Sequence, residues 1–379
     1  MARKPQRWLI FGAGMQGRAV AFDAIRYYGA EVLLLDPSIS QLLGVEDMLI
    51  PMLGQDERNK LHTRLTYRRD ESGGVEGLMN WADVVVSCAP HSANVAITTM
   101  AIIHRVPYCD LGGSPRVVGE QASLATRLGA ETAVIVPDCG VSPGISNILA
   151  VHLAKDLGCD TVHVRCGSNP LEPPDARENP WLYKLLFNPE GLAEEYTGYA
   201  TVVCDGKLVP IRALSYIQTF ERGLESAPTS NNSHFTAQAL RELGVHTYDY
   251  QTIRHHGHFA AVLQDQGGEV EVSKFLGRVR AMSELVFDRE KDRDRMILVV
   301  EGSRRGRSLQ RTNIFRYDFS SDPAKKFTAM ELMTSWGISL VAHQLATRRD
   351  LRGFMFPWEC VDAEWMFAEI DRRLKVHLS

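Results

Sequence analysis

The sequence lacks several features that define common classes of protein. No apolar run among its 379 residues approaches the roughly 18 residues needed to cross a bilayer. Glycines and Arg18 interrupt the apolar stretch near the amino terminus, which therefore does not resemble a secretion signal. The seven cysteines include no C-x-x-C pair, which argues against a disulfide framework and a zinc site. We expect a cytoplasmic protein with reduced thiols, no bound metal and no membrane contact.

The chain also lacks an excess of basic charge. It contains 42 Lys and Arg residues and 46 Asp and Glu residues. The resulting net charge of -4 gives no support to a nucleic-acid partner. The local run RRGR at residues 304–307 is expected to be a solvent-exposed hairpin tip. With 45% hydrophobic residues, a chain of this length predicts two packed globular domains.

Residues 7–36 contain every part of a dinucleotide-binding unit. An apolar strand at 8–11 leads into Gly12, Gly14 and Gly17, spaced as G-x-G-x-x-G, and a helix and a second apolar strand follow. The first glycine permits a tight turn, the second lets backbone N-H groups approach a pyrophosphate, and the third allows close helix packing. The positive end of the helix dipole also attracts phosphate. The segment therefore predicts a bound dinucleotide.

Asp36, at the end of the second strand, distinguishes between the two nicotinamide dinucleotides. A carboxylate at this position accepts hydrogen bonds from both ribose hydroxyls of NAD and repels the additional phosphate of NADP. No arginine follows in DPSIS to reverse that preference, so we expect NAD as the cofactor. The predicted cofactor-binding residues are Gly12, Ala13, Gly14, Met15, Gln16, Gly17, Asp36, Cys88, Ala89 and Pro90.

Strand and helix patterns keep alternating after Asp36, as a Rossmann fold with a doubly wound parallel sheet requires. Further strands are predicted at 65–67, 84–88, 108–111 and 133–136, with helices at 93–104 and 116–128. We expect this α/β domain to comprise residues 1–147, with its ligands at the carboxyl ends of the strands.

From about residue 160 the pattern changes, and we predict a second, α+β domain for substrate binding and dimerisation at 148–327. Strands are expected at 161–165, 200–203 and 296–301, separated by turns and long loops rather than regular helices. The loop at 168–180 contains four prolines, so it should be extended and excluded from a sheet interior. Apolar residues at helical spacing in 328–348 predict a buried helix. This helix opens a C-terminal helical segment, 328–379, that we expect to pack back on the Rossmann domain.

Several stretches resemble a known family. The run PDCGVSPGISN at 137–147 resembles the strand-to-linker signature of the saccharopine dehydrogenase family. Residues 171–207, TIRHHGH at 252–258 and the helix at 328–346 look like those of its L-lysine 6-dehydrogenase branch. The run NNSHFT at 231–236 departs from that branch, which tends to have small residues there.

The resemblance implies an NAD-dependent oxidoreductase that acts on a carbon-nitrogen bond of an amino acid and works as a homodimer. Its leading case is oxidative deamination of the L-lysine side-chain amine, whose imine is hydrolysed to an aldehyde that cyclises. The alternatives are a secondary-amine dehydrogenase of the saccharopine, carboxynorspermidine or opine type, and a non-enzymatic NAD-binding sensor with the same fold.

Three titratable residues follow predicted strands near the expected nicotinamide position. Asp110 precedes Leu-Gly-Gly and is either a catalytic group or a turn former. His91, after Cys-Ala-Pro, is a second catalytic candidate because histidine titrates near neutral pH. Asp138 either faces the ligand, as a substrate-binding residue, or caps the following helix.

Arg254 is the main candidate for substrate binding, because a guanidinium binds a carboxylate with two hydrogen bonds; the alternative is a structural ion pair. The neighbouring His255, His256 and His258 do not predict a metal site, since alternating strand residues point to opposite faces. Tyr183 and His234 are further candidates for substrate binding.

Overall fold

The computed structural model describes residues 4–66, 74–129, 133–230, 234–304, 312–322 and 326–378. The chain divides into two compact units. The first combines Met1–Gly144 with Leu332–Ser379, and the second is Ile145–Glu331. The corresponding limits predicted from the sequence are residues 147 and 327.

The first unit contains, within the described residues, a sheet of seven parallel strands. Numbered in chain order, they are β1 (Arg7–Phe11), β2 (Glu31–Asp36), β3 (Leu61–Leu65), β4 (Val84–Ser87), β5 (Tyr108–Asp110), β6 (Val134–Val136) and β15 (Gly353–Phe354). Their spatial order is β15-β6-β5-β4-β1-β2-β3. Strands β1 and β4 are buried along almost their whole length, as expected where helices cover both faces of a parallel sheet. This arrangement is a Rossmann fold and confirms the predicted fold class.

The helices of this unit connect and cover the strands. They are α1 (Met15–Tyr28), α2 (Ile39–Leu49), α3 (Gln55–Arg58), α4 (Gly74–Trp81), α5 (His91–His104), α6 (Pro115–Leu128), α12 (Ala329–Thr347, which begins in the second unit), α13 (Pro357–Cys360) and α14 (Ala363–Leu378). Leu9, Val85 and Ile135 of the sheet pack with Ile97 and Ala101 of α5 in one buried apolar cluster. None of the helices in the described ranges is both long and apolar enough to cross a membrane.

The final residues of the chain complete the first unit. Strand β15 pairs in parallel with β6 and adds the seventh strand. Arg373 of α14 is fully buried, with its Nε 3.4 Å from Oδ1 of Asp23 on α1. Its Nη2 donates to the hydroxyl of Tyr28 at 2.7 Å. The helix that begins the nucleotide-binding unit is therefore bonded to the last helix of the chain.

The second unit contains a mixed sheet. Its strands are β7 (Thr161–Pro170), β8 (Tyr199–Cys204), β9 (Lys207–Arg212), β10 (Gln218–Glu221), β11 (Leu224–Pro228), β12 (Thr247–His255), β13 (Asp294–Ser303) and β14 (Asn313–Ser320). The main order is β10-β11-β12-β7-β13-β14, and β8 pairs with β12 and β9. Among the described strands of this second sheet, only the β12 and β7 pair is parallel. The helices are α7 (Ile145–Lys155), α8 (Pro189–Glu195), α9 (His234–Glu242), α10 (His258–Gln266) and α11 (Val272–Ala281).

Three expectations from the sequence are wrong. The second unit has regular helices between its strands, where long loops were expected. Residues 168–170 belong to β7, a central strand, although the loop at 168–180 was expected to be excluded from a sheet interior. Pro170 is tolerated because it is the last residue of β7 and leaves the hydrogen bonds of the preceding residues intact. Strand β3 ends at Leu65, where the strand at 65–67 was predicted to begin. Tyr67 and residues 305–307 of the predicted hairpin tip lie outside the described residues, as do residues 231–233.

Candidate active site

The three glycines of the first loop have different surroundings. Gly12 has φ +94, and a Cβ there would lie 2.7 Å from the carbonyl oxygen of Cys88. A Cβ on Gly17 would lie 1.7 Å from the carbonyl oxygen of Gly12. A Cβ on Gly14, in contrast, would meet no atom of the described protein within 4 Å. Gly12 and Gly17 are therefore required because a side chain at either position would clash with the backbone. Gly14 borders open space, where a ligand group can approach the backbone N-H groups.

The amino end of α1 has the properties of an anion-binding helix terminus. Gly14 is its N-cap, no side chain caps the helix, and its first turn contains no acidic residue. Backbone N-H groups at such a terminus attract phosphate. The side-chain oxygen of Gln16 in this turn is buried and makes no hydrogen bond with any described residue. The uncapped backbone N-H groups fit the pyrophosphate of a dinucleotide, whereas the Gln16 oxygen only accepts hydrogen bonds and suits a donor rather than a phosphate.

Asp36 is bonded to the loop itself. Its two carboxylate oxygens accept hydrogen bonds from the backbone N-H groups of Ala13 and Ser38, both at 2.8 Å. Because a carboxylate has about four lone-pair positions, two remain for the hydroxyls of a ribose. Asp36 therefore both fixes the loop and keeps the capacity to bind a nucleoside.

Cys88, Ala89 and Pro90 connect β4 to α5 beside this loop. The backbone N-H of Cys88 donates to the carbonyl oxygen of Phe11 at 2.7 Å. Burial raises the pKa of the Cys88 thiol far above its ordinary value, so this side chain is a neutral thiol at physiological pH. His91 is the first residue of α5 and is partly exposed. It follows β4, whose last residue pairs with Asp110 of β5.

Asp110 lies fully buried at the end of β5. Its Oδ2 accepts from the hydroxyl of Tyr108 at 2.8 Å and from Nε2 of Gln121 at 2.6 Å. Its Oδ1 accepts from the backbone N-H groups of Gly112 at 2.7 Å and Asp138 at 3.3 Å. Burial raises the pKa of Asp110, and these hydrogen bonds oppose the increase. With four donors, the carboxylate has little capacity left for a ligand, so the geometry suits a group that positions the loops.

Asp138 has a different environment, although its backbone donates to Asp110. Its carboxylate accepts a 3.3 Å bond from the N-H of Gly113 on the neighbouring loop. Burial raises the pKa of Asp138 from 3.8, the charge of Asp110 raises it further, and the hydrogen bond from Gly113 lowers it. The resulting pKa is about 8. Asp138 has φ +62, a conformation that favours glycine. A strained residue with a titratable, sparsely bonded carboxyl group is typical of functional sites.

Arg254, on β12 of the second unit, is buried among aromatic side chains. Its guanidinium carbon lies 4.8 Å from the ring centre of Tyr183 and 5.9 Å from that of Tyr196. Nε donates to the hydroxyl of Tyr196 at 2.9 Å, and Nη1 donates to the carbonyl oxygen of Ile253 at 2.9 Å. Nη2 lies 3.8 Å from Oε2 of Glu195. The structure thus brings together two predicted substrate-binding residues, Arg254 and Tyr183.

A chain of hydrogen bonds holds the guanidinium in place. Nδ1 of His258 lies 2.6 Å from the carbonyl oxygen of Trp181, and its Nε2 lies 2.8 Å from the hydroxyl of Tyr196. Since a carbonyl oxygen only accepts, Nδ1 carries the proton and Nε2 accepts from Tyr196. Burial lowers the pKa of His258 to about 3, with the charge of Arg254 acting in the same direction. His258 is therefore neutral and fixes the orientation of Tyr196.

The other histidines lie apart from this cluster. Nε2 of His255 is 2.7 Å from the carbonyl oxygen of Pro170, and His256 is exposed beside Glu225. His234, at the start of α9, has its ring nitrogens 3.2 Å from Oγ1 of Thr201 and Nε2 of Gln238. Over the described ranges, no cluster of three or more His, Cys, Asp or Glu side chains has the arrangement of a metal site.

The residues that surround the predicted candidates were not themselves predicted from the sequence. Tyr108 lies two residues before Asp110 on one strand, and this spacing predicts a shared face. Gln121 lies on α6, Glu195 is the last residue of α8, and Tyr196 follows it. Asn169, which donates to the carbonyl oxygen of Ile253 at 3.4 Å, lies in a stretch that was predicted to be a loop. Apart from Tyr108, none of these contacts has a local signal in the sequence.

Sheet order and glycine loop together define a protein of the Rossmann class, with a second mixed α/β unit. Residues 140–375, well over half of the chain, match the family model described as the saccharopine dehydrogenase C-terminal domain. The chain belongs to this family.

The chain is similar to several solved structures, of which the first supports the fold. Apo saccharopine dehydrogenase (L-Glu forming) from Saccharomyces cerevisiae is similar with a TM-score of 0.70 and 13% identity, over 97% of both chains. The DAP dehydrogenase of C. glutamicum in complex with DAP has a TM-score of 0.42 and 10% identity, over 96% of both chains. An engineered D-amino acid dehydrogenase bound to NADP+ has a TM-score of 0.43 and 13% identity, also over 96% of both chains.

Proposed function

We propose that this protein is an NAD-dependent oxidoreductase acting on a carbon-nitrogen bond of an amino acid. The observation that carries the proposal is the loop of Gly12, Gly14 and Gly17, bonded to Asp36, in a chain of the saccharopine dehydrogenase family. Bound at this loop, the dinucleotide would supply the hydride acceptor. The uncapped end of α1 would hold its phosphates, and Asp36 would bind the adenosine ribose and favour NAD over NADP.

Amine oxidation also requires the chain to manage a proton. An alkylammonium with a pKa of about 10.4 has no lone pair and must lose a proton before hydride can leave its carbon. Among the strand-end residues, Asp138 is best suited to accept it, since its carboxyl has one hydrogen-bond donor whereas Asp110 has four. Asp110 then acts as a positioning residue that holds the loops of Gly112 and Asp138. His91 stays a second candidate for proton transfer.

The leading substrate is L-lysine, oxidised at its side-chain amine. This choice rests on the resemblance of residues 171–207 and 252–258 to the L-lysine 6-dehydrogenase branch. Arg254 is proposed to hold the α-carboxylate, supported by its burial and by the bonds that fix its guanidinium. Asp138, Tyr183 and His234 complete the predicted substrate-binding set.

Two alternatives give different outcomes in one experiment. Purified protein is mixed with NAD or NADP and a panel of amino acids, secondary amines and polyamines, and reduced nicotinamide is followed by absorbance at alkaline pH. Reduction with L-lysine and NAD supports the proposal. Activity confined to saccharopine-like or polyamine substrates indicates a secondary-amine dehydrogenase, and dinucleotide binding with no reduction by any compound indicates a sensor.

A homodimer assembled through the sheet of the second unit is also proposed, in agreement with the family resemblance. Sedimentation of the purified protein over a range of concentrations tests it. A species with the mass of one chain at all concentrations would exclude the dimer.

A further inference from the structure

The second unit contains a cavity of about 230 Å³. Its lining comes from α10, the end of β9 and the segments that follow α8, β9 and α10. At ~30 Å³ per water molecule, this volume holds about eight waters, so an occupant has roughly as many non-hydrogen atoms. The size suits one small metabolite and excludes a dinucleotide or a peptide.

One wall of the cavity is apolar. Tyr196, Leu214 and Val270 line it and are buried members of the core cluster of this unit. Leu263 of α10 also lines it and packs against the same cluster. These four side chains form the apolar wall. An aliphatic group that packs against them leaves water, which favours binding.

Two opposite charges line the same cavity. Nη2 of Arg212 lies 2.6 Å from Oε1 of Glu269, and the two side chains are 52% and 73% exposed. An ion pair with this much exposure contributes little to stability. A ligand can therefore separate the two side chains at small cost.

The pair selects the charge of the occupant. A monocarboxylate competes with Glu269 for Arg212, and an amine competes with Arg212 for Glu269, so either one leaves a protein charge without its partner. A zwitterion supplies partners to both, because its carboxylate pairs with Arg212 and its ammonium pairs with Glu269. Volume, apolar wall and charge together select an α-amino acid of about the size of leucine.

Tyr196 connects the cavity to the Arg254 cluster, which comprises Arg254, Tyr183, Glu195, Tyr196 and His258. Its hydroxyl accepts from Nε of Arg254 at 2.9 Å and donates to Nε2 of His258 at 2.8 Å. Tyr196 is the one member of this cluster that lines the cavity. An occupant therefore contacts the residue that orients Arg254 without contacting Arg254 itself.

We propose that this cavity is a second amino-acid site, which binds a small α-amino acid with an aliphatic side chain and acts on Arg254 through Tyr196. The carboxylate pairs with Arg212, the ammonium pairs with Glu269, and the side chain packs against the apolar wall. The ligand is an effector, distinct from the substrate. Its effect on Arg254 rests on the proposed function, whereas its binding does not.

Calorimetric titration of the full chain without dinucleotide tests the binding independently of turnover. The probes are L-leucine, 4-methylpentanoate, which lacks the ammonium, 3-methylbutylamine, which lacks the carboxylate, and glycine, which lacks the side chain. Each deletion should weaken binding by about tenfold or more, because it removes a charge-assisted pair or a buried apolar group. Failure of L-leucine to bind at millimolar concentration, or binding of either singly charged probe as tightly as L-leucine, would overturn the site.

Arg212→Gln and Glu269→Gln connect the binding to the cavity. Each should raise the Kd of L-leucine about tenfold and leave the melting temperature almost unchanged, since both side chains are exposed. Glu269→Gln should also reduce the preference for L-leucine over 4-methylpentanoate. Arg278→Gln is the matched control, because Arg278 pairs with Asp265 in the same unit and does not line the cavity. Unchanged Kd values in both cavity variants would remove the site.

Arg254→Lys separates the second site from the site proposed for the substrate. It should change the Kd of L-leucine much less than Arg212→Gln does. The opposite result, weaker L-leucine binding in Arg254→Lys and wild-type binding in Arg212→Gln, would show that L-leucine occupies the substrate site.

Kinetics test the effector role. In the wild-type protein, saturating L-leucine should change the KM of the amino-acid substrate, and Arg212→Gln should lose this response. Binding of L-leucine with no change in KM, in a protein that reduces NAD with an amino acid, would exclude the effector role and keep the dehydrogenase. The predicted binding pattern in a protein that reduces no dinucleotide would keep the second site and exclude the dehydrogenase.

Discussion

The nucleotide loop and the Arg254 cluster are built in opposite ways. The loop uses backbone groups from residues close in sequence: Gly12, Gly14, Gly17 and Asp36 lie within one strand-helix-strand segment. The Arg254 cluster uses side chains from β12, α8, α10 and the segment before α8, and the partners Tyr196 and Arg254 are 58 positions apart. One site depends on the absence of side chains, and the other depends on their identity. Substitutions that change the side-chain volume by similar amounts should therefore have different consequences in the nucleotide loop and in the Arg254 cluster.

The largest expected effect separates two glycines of the same loop. Gly17→Ala places a Cβ against the backbone of Gly12 and should destabilise the protein by about 3 kcal/mol, measured by denaturant unfolding. Gly14→Ala meets no protein atom, so its stability should change by less than about 0.5 kcal/mol while its Kd for NAD increases. Equal stability losses in the two variants would contradict this division of roles.

In the side-chain site, Arg254→Lys should lower kcat/KM for the amino-acid substrate by about a hundredfold, near 2.7 kcal/mol, because an ammonium cannot reproduce the fixed guanidinium geometry. Arg165→Lys is the control, since Arg165 lies in the same sheet and pairs with Asp249. Its kcat/KM should change by less than about threefold. Wild-type efficiency in Arg254→Lys would remove Arg254 from the substrate site.

Asp138 gives a prediction on pH. Its pKa is about 8 in the folded protein and near 3.8 when unfolded, so the folded state binds the extra proton and stability falls as the pH rises from about 4 to 8. Asp138→Asn should therefore raise stability by at least about 1 kcal/mol at pH 9 and leave it almost unchanged at pH 4. The variant should also lose the rise of kcat through pH 8, if Asp138 accepts the proton.

Asp249 is the control of opposite sign. Burial tends to raise its pKa, but hydrogen bonds and charge from His163 and Arg165 lower it below 3.8 overall. Its contribution to stability is present above pH 4 and is lost on acidification, so Asp249→Asn should destabilise the protein at pH 7 and have less effect at pH 3. If both variants respond to pH in the same direction, the environment assigned to Asp138 is incorrect.

The smallest effect is expected at Asp36. Asp36→Ser should weaken NAD binding by about tenfold and reduce the discrimination against NADP, since the carboxylate no longer repels a 2'-phosphate. Dinucleotide titrations monitored by fluorescence give both Kd values. Tighter binding of NADP than NAD by the wild-type protein would reverse the cofactor assignment.

The same difference explains how much could be predicted from the sequence. The glycine spacing, Asp36 and the alternating strands predict the Rossmann unit because each signal is contained in a few neighbouring residues. Strand β15 has two residues and is defined only by its pairing with β6, so no local pattern indicates it. Asp110 was predicted from its position at a strand end, but its role depends on Gln121, which lies on α6. The partners of Arg254 meet only after the mixed sheet has formed.

The discontinuous first unit has a consequence for folding during synthesis. The chain leaves the ribosome from its amino terminus, so residues 145–331 emerge before Gly353–Phe354 and Arg373. Until then the edge of β6 has no partner strand from that segment, and Asp23 is without the cation that pairs with it. An unpaired strand edge on a nascent chain is a point of aggregation. The unit that is begun first can therefore be finished only after the unit inserted into it has been synthesised.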